Sequence, residues 1–257
     1  MNRFRLHIFA AATAVLALSG CETMKTADTS ALTDVGGTAL KAVSLSDGDV
    51  VTMSDESCAA MDKKNQIAPA NGNYALRLAK VVKAMPSTIN GKPADYKVYV
   101  TKEVNAWAMA NGCIRVYSGL MDLMNDDELR GVIGHEIGHV ALGHSKSRMQ
   151  TAYATSVVRG LAAASGNATM KALSGSQAAD LGEKFIHAQF SQSQERAADD
   201  YSFDLLKERK LERKGLVTGF QKLADLDAGQ AGSSLMSSHP PSADRAARMQ
   251  KRLDSNT

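Results

Sequence analysis

His135 and His139 stand four residues apart, with Glu136 directly after the first, in the run His135-Glu136-Ile137-Gly138-His139. On a helix that spacing puts the two imidazoles one turn apart on one face, so both can reach a single ion while the Glu136 carboxylate flanks it. These are the parts of a hydrolytic metal site: nitrogen ligands of the kind zinc takes, and an acid–base group beside them that need not touch the ion. Two histidines leave such a site one protein ligand short, because a catalytic zinc usually holds three side chains and a water. The third ligand is expected at Glu195, in Ser193-Gln194-Glu195-Arg196-Ala197-Ala198-Asp199-Asp200. Asp199 lies one turn beyond it on the same face, where it could accept the spare N–H of a metal-bound histidine and fix its tautomer.

The elements that must position these groups are legible around them. Asn125-Asp126-Asp127-Glu128 supplies an N-cap and first-turn acids, and Leu129, Val132, Ile133, Ile137, Val140 and Ala141 follow at the spacing of an amphipathic helix, which Gly143 stops. Glu195 opens a second helix that runs through Tyr201, Leu205 and Leu206 to about residue 210. Upstream, helices are expected over 57–64 and 74–85, the second with Ala75, Leu78, Ala79 and Val82 on one face and Pro86 as its stop. Residues 97–101, 106–109 and 113–117 read as three short strands, the last two joined around Asn111-Gly112. The Ala-, Ser- and Gly-rich stretch 152–176 reads either as a mobile helical hairpin that could cover the cleft or as ordinary packed helices, and Arg159, Gly160, Asn167 and Lys171 interrupt it too often for a membrane span. Helices are expected again over 215–226 and 242–253, either side of a Gly/Ser segment, 228–238.

In these motifs the chain resembles the HtpX-like and CAAX-protease-like gluzincin zinc metallopeptidases. The resemblance extends over nearly the whole mature chain. It rests on Tyr96-Lys97-Val98-Tyr99, Asn105-Ala106-Trp107-Ala108-Met109-Ala110-Asn111-Gly112-Cys113, Tyr117-Ser118-Gly119-Leu120, the His135–His139 motif, the Glu195 helix and Ser238-His239-Pro240. The 55 residues between His139 and Glu195 are also typical of that family, and Trp107 stands where a Phe is more usual. The fold this implies is α+β, a mainly α-helical zincin-like protease with a small β-sheet beside the H-E-x-x-H helix. The cofactor it implies is Zn2+ on His135, His139 and Glu195, with Glu136 as the catalytic base. In this family the sheet edge lines the cleft, so Asn105, Ala106 and Trp107 become candidates for pairing with an extended substrate. Relatives carry a His-Pro loop facing the zinc, and His239 is expected either to stabilise the oxyanion or to take the fourth zinc position in a latent state. Arg245, six residues on, is a weaker candidate for contact with the transition state or, behind the ligands, with a carboxylate. His144 reads as helix-end chemistry rather than as a ligand, and His187 has no motif around it.

Residues 1–20 carry Arg3 and Arg5, an apolar run from Ile8 to Leu18 too short for a comfortable span, and then Leu18-Ser19-Gly20-Cys21, the pattern of a lipoprotein signal peptide. The mature chain is expected to begin at a lipidated Cys21, with a tether over 21–40 and one metallopeptidase domain over 41–257. Resemblance to bacterial lipoproteins implies sorting to the outer membrane, facing the periplasm, since Glu22 rather than Asp follows the cysteine. That leaves Cys58 and Cys113 as an even pair in an oxidising compartment, expected to form one disulfide. A net charge of +3 with acids and bases interspersed gives no footprint for nucleic acid. The expected function is a membrane-anchored zinc endopeptidase that cleaves misfolded or damaged envelope proteins, with other envelope quality-control factors as further partners. The alternative is a largely latent zinc lipoprotein that holds unfolded envelope proteins in a chaperone-like way.

Overall fold

The computed structural model describes residues 45–158, 173–229, 238–239 and 242–255. The signal peptide, Cys21, the tether and part of the 152–176 stretch lie outside these residues. Helix α1 (Asp47–Lys64) starts ten residues earlier than expected, where Ser46 accepts from the Asp49 N–H and the Asp49 carboxylate accepts from that of Ser46. Its buried side is a mixture of Val50, Met53, Ser54, Ser57, Cys58, Ala60 and Met61, too polar to stand out as an apolar stripe. Helix α2 (Asn73–Val82) follows.

A two-strand hairpin, β1 (Thr88–Ile89) with β2 (Lys92–Pro93), turns on Asn90 and Gly91, both at positive φ. The main sheet contains β3 (Asp95–Tyr99), β4 (Ala106–Ala108) and β5 (Cys113–Tyr117) in the order β3-β5-β4. β5 pairs in parallel with β3 and antiparallel with β4, with Trp107 opposite Arg115. β3 lies two residues earlier than its apolar alternation suggests, because Val100 donates instead to Gln66 O and Tyr99 bridges Ile67. β4 is an edge strand, and it packs against the helix that carries the histidines.

Helices α3 (Ser118–Leu123), α4 (Asp126–Ala141), α5 (His144–Val158), α6 (Gly175–His187), α7 (Gln192–Glu208), α8 (Lys214–Gly229) and α9 (Ser242–Asp254) complete the described fold. α4 carries the His135–His139 motif and begins with Asn125 and Glu128 capping each other reciprocally. Its burial extends beyond the one face that the apolar periodicity marks. Every residue from Gly131 to Val140 is buried, because α7, α8, α5 and β4 surround it. Two glycines permit the close approach of α7: a Cβ on Gly134 would lie 2.5 Å from Ser202 Oγ, and one on Gly138 would lie 3.1 Å from Ala198 O. The helix ends as expected at Gly143, at φ +75, and Asn90 Nδ2 donates to the Val140 carbonyl at 3.1 Å.

Cys58 of α1 and Cys113 of β5 form a disulfide across 55 residues of sequence, a closure expected to contribute about 2–4 kcal/mol by restricting the unfolded chain. Beside it the side chain of Arg115 is fully buried. Its Nε and Nη2 donate to Asp62 at 2.7 and 2.9 Å, and Nη2 also donates to Asp95 Oδ2 at 2.8 Å. Burial pushes the Asp62 carboxyl up, but hydrogen bonds from Arg115, Lys97 and Tyr99 outweigh it and bring it from the ordinary 3.8 down to about 2. A carboxylate whose folded pKa is depressed stabilises the fold above its unfolded pKa and loses that contribution as pH falls through the folded one. Between about pH 4 and pH 2 the wild type is therefore expected to lose about 1–2 kcal/mol more than Asp62→Asn, the full shift being discounted because Lys97 is partly in water. Denaturant titrations of both proteins across that range check this, and parallel pH curves would refute it.

Candidate metal centre

The site is assembled from three helices and one short segment. α4 contributes His135, Glu136 and His139. α7, capped by Ser191 and Gln194, contributes Glu195 in its first turn and Asp199 one turn later. His239 comes from the segment before α9, and Arg245 from α9 itself. All are buried, with His139 and Asp199 wholly inaccessible.

The ligating atoms converge. His139 Nε2 lies 3.0 Å from His135 Nε2 and 3.2 Å from Glu195 Oε1, His239 Nδ1 lies 2.9 Å from Glu195 Oε1 and 3.3 Å from His135 Nε2, and all four residues offer atoms within 4.8 Å of one another. Tetrahedral ligands about 2.0–2.1 Å from one zinc ion stand about 3.3 Å apart, so these spacings are those of a tetrahedron's edges. Unsatisfied atoms give the same answer: Glu136 Oε1, Glu195 Oε2 and His239 Nε2 are buried with no hydrogen-bond partner among the described residues. Leaving such groups unpaired is costly, and a cation among them is what the donor set fits. Arg245 Nη1 comes within 2.8 Å of Glu195 Oε2 as an ion pair but not in hydrogen-bonding alignment.

Around this centre each group is held by a second contact. Asp199 Oδ1 lies 2.9 Å from His135 Nδ1, and Arg245 donates to both Asp199 oxygens, from Nη2 at 2.7 Å and Nε at 3.0 Å. Burial pushes Asp199 up, but Arg245 and His135 hold it at about 2, so it stays an anion able to orient the imidazole. Burial likewise opposes ionisation of Glu195, yet His239, His135 and His139 hold it far below the carboxylate range. His139 goes the other way, held neutral by burial and by the neighbouring imidazoles. Its ring stacks on Phe190 at 3.7 Å, with the planes 12° apart.

The structure thus brings His135, His139, Glu195 and His239 to one point, with Glu136 alongside and Asp199 behind. Arg245 pairs with the carboxylates of Asp199 and Glu195. Of the edge-strand candidates, Ala106 and Trp107 lie in β4 and Asn105 directly precedes it, but the Trp107 ring faces a core of Tyr99 and Tyr117 and its main chain is paired with Arg115 of β5. Phe190 and the Gly134–Gly138 pair have no motif of their own. The signals available were the position of Phe190 directly before the Ser191 cap, and glycines three and four residues apart on the metal-binding helix.

The profile of peptidase family M48 matches residues 74–253, which includes every side chain of this cluster. The chain belongs to peptidase family M48. It is 52% identical over 239 residues to the metalloprotease LoiP of Escherichia coli (strain K12), covering 93% of each chain. It is 49% identical over 249 residues to the metalloprotease YcaL of the same organism, covering 96% of this chain and 97% of that one. Protease HtpX of Acinetobacter baumannii (strain AYE) is 54% identical over 37 residues, 14% of this chain and 12% of its own. As an M48 peptidase the chain is a zinc-dependent hydrolase of peptide bonds with an α+β, mainly helical fold, and the buried four-residue cluster is where its metal fits.

Proposed function

We propose that this M48 peptidase is an endopeptidase of the bacterial envelope in which His135, His139 and Glu195 hold the zinc and Glu136 is the general base. The observation that carries the reading is Glu136 Oε1, a buried carboxylate oxygen beside the ligand cluster with no hydrogen bond among the described residues. Zinc in that cluster supplies Lewis acidity to a water molecule and to the scissile carbonyl. Glu136 takes the proton as the water oxygen bonds to the carbonyl carbon, then gives it to the amine nitrogen as the C–N bond breaks. An extended substrate pairs its main chain with the edge of β4 beside α4. Asp199 orients His135 through its Nδ1–H.

Anchoring through a lipidated Cys21 to the outer membrane, with a single domain over 41–257, is supported by the Leu18-Ser19-Gly20-Cys21 pattern and by the Cys58–Cys113 disulfide, a bond that suits an oxidising compartment. Among the described residues no helix is long and apolar enough to cross a membrane. Misfolded or damaged envelope proteins are the substrate class we assign.

A closed resting state is favoured by one specific contact. His239 Nδ1 stands at the fourth corner of the cluster, and its Nε2 is 3.6 Å from Glu136 Oε1, so the same imidazole can close the site or stabilise the oxyanion once it swings clear. In the extreme of that state the protein holds unfolded envelope proteins without turning them over. Digestion of casein is expected to stop when the protein is stripped with a chelator and to return on adding zinc. Saturable binding of denatured protein with no cleavage in either state would favour the holding role.

A further inference from the structure

The two histidines of the motif are supported differently at the nitrogen turned away from the cluster. His135 Nδ1 meets a carboxylate, Asp199, which Arg245 locks in place. His139 Nδ1 meets another imidazole: His144 Nδ1, at 3.0 Å. His139 points its Nε2 at His135 Nε2 and Glu195 Oε1, so a metal in the cluster needs that nitrogen's lone pair. The ring is neutral in that role, and its one proton then sits on Nδ1. A proton there requires an acceptor at His144 Nδ1, which in turn places the His144 proton on its own Nε2. One pair of tautomers satisfies the contact.

The backbone puts His144 where this can happen. It is the first residue of α5, directly after Gly143, whose positive φ turns the chain out of α4 and back beside it. The stack on Phe190 fixes the plane of the His139 ring but leaves its two nitrogens undistinguished. His144 distinguishes them.

We propose that His144 is a positioning residue that selects the His139 tautomer with Nε2 free for zinc, doing for His139 what Asp199 does for His135. The inference rests on His139 being a zinc ligand. His144→Leu removes the acceptor, whereas the side-chain oxygen of His144→Asn can take the place of Nδ1. By competition with a chromogenic chelator, zinc affinity is expected to fall about 10–100-fold in His144→Leu and to stay within about threefold of wild type in His144→Asn. Metal-free thermal midpoints of the three proteins separate this from loss of folding. Long-range 1H–15N spectra of the zinc-loaded wild type add a readout that needs no variant: His139 Nδ1 should carry a proton and His144 Nδ1 should not. A wild type that fails to take up zinc would overturn the ligand reading itself. Tight wild-type binding matched by His144→Leu, His144→Asn falling as far as His144→Leu, or a proton on His144 Nδ1 would each overturn the role of His144 alone.

Discussion

Glu136→Gln is expected to keep its zinc and to lose peptide cleavage by about 10²–10⁴-fold, the range that removing a general base produces. The substitution preserves the size of the side chain and leaves His135, His139 and Glu195 untouched, and Glu136 contributes no atom to the four-residue ligand cluster. What it removes is the basic oxygen. Among the described residues Oε1 is buried and makes no hydrogen bond, and its nearest basic neighbour, His239 Nε2, is 3.6 Å away. Metal content and cleavage should be measured on one preparation. Wild-type turnover in this variant would rule out Glu136 as the base, and loss of zinc would mean that it supports the metal as well.

Glu195→Ala should lose both metal and activity, with zinc affinity falling by more than the roughly 100-fold that marks the upper range for an outer partner. Glu195 Oε1 is the oxygen shared by the cluster, 3.2 Å from His139 Nε2 and 2.9 Å from His239 Nδ1. Its removal takes away the anion that offsets the charge of a bound cation. Arg245 then remains in the site, paired to Asp199 but without its second carboxylate, which opposes cation binding further. Asp199→Ala should weaken zinc only about 10–100-fold, because it orients His135 without being part of the cluster. Zinc titrations of the two variants side by side test the ranking. Unchanged affinity in Glu195→Ala would move the third ligand elsewhere, and equal losses in both would erase the distinction between ligand and support.

The sequence by itself determined the features that depend on local geometry. His135 and His139 share a face because a helix repeats every 3.6 residues, and the same rule sets Glu195 one turn from Asp199. Asn125 and Ser191 cap their helices through contacts with residues two or three positions on. The Asn111-Gly112 turn follows similarly, since Gly112 adopts a φ of +86 that few other residues tolerate. The Cys58–Cys113 bond was legible for a different reason, the elimination of Cys21 from a set of three.

Tertiary structure decided what depends on how remote segments pack. Apolar periodicity reports one buried face, so it described α4 as amphipathic when helices and a strand enclose it. That Glu195 reaches His139 across 55 residues of sequence depends on α7 crossing α4 closely at Gly134 and Gly138, a fit of two surfaces that neither segment encodes alone. The burial of Arg115 between Asp62 and Asp95, the stacking of Phe190 on His139 and the approach of His144 to His139 Nδ1 arise in the same way. A helix's own hydrogen bonds fix which of its side chains are neighbours. Which side chain of another element meets them is fixed by close packing, where a single Cβ at the crossing decides the distance.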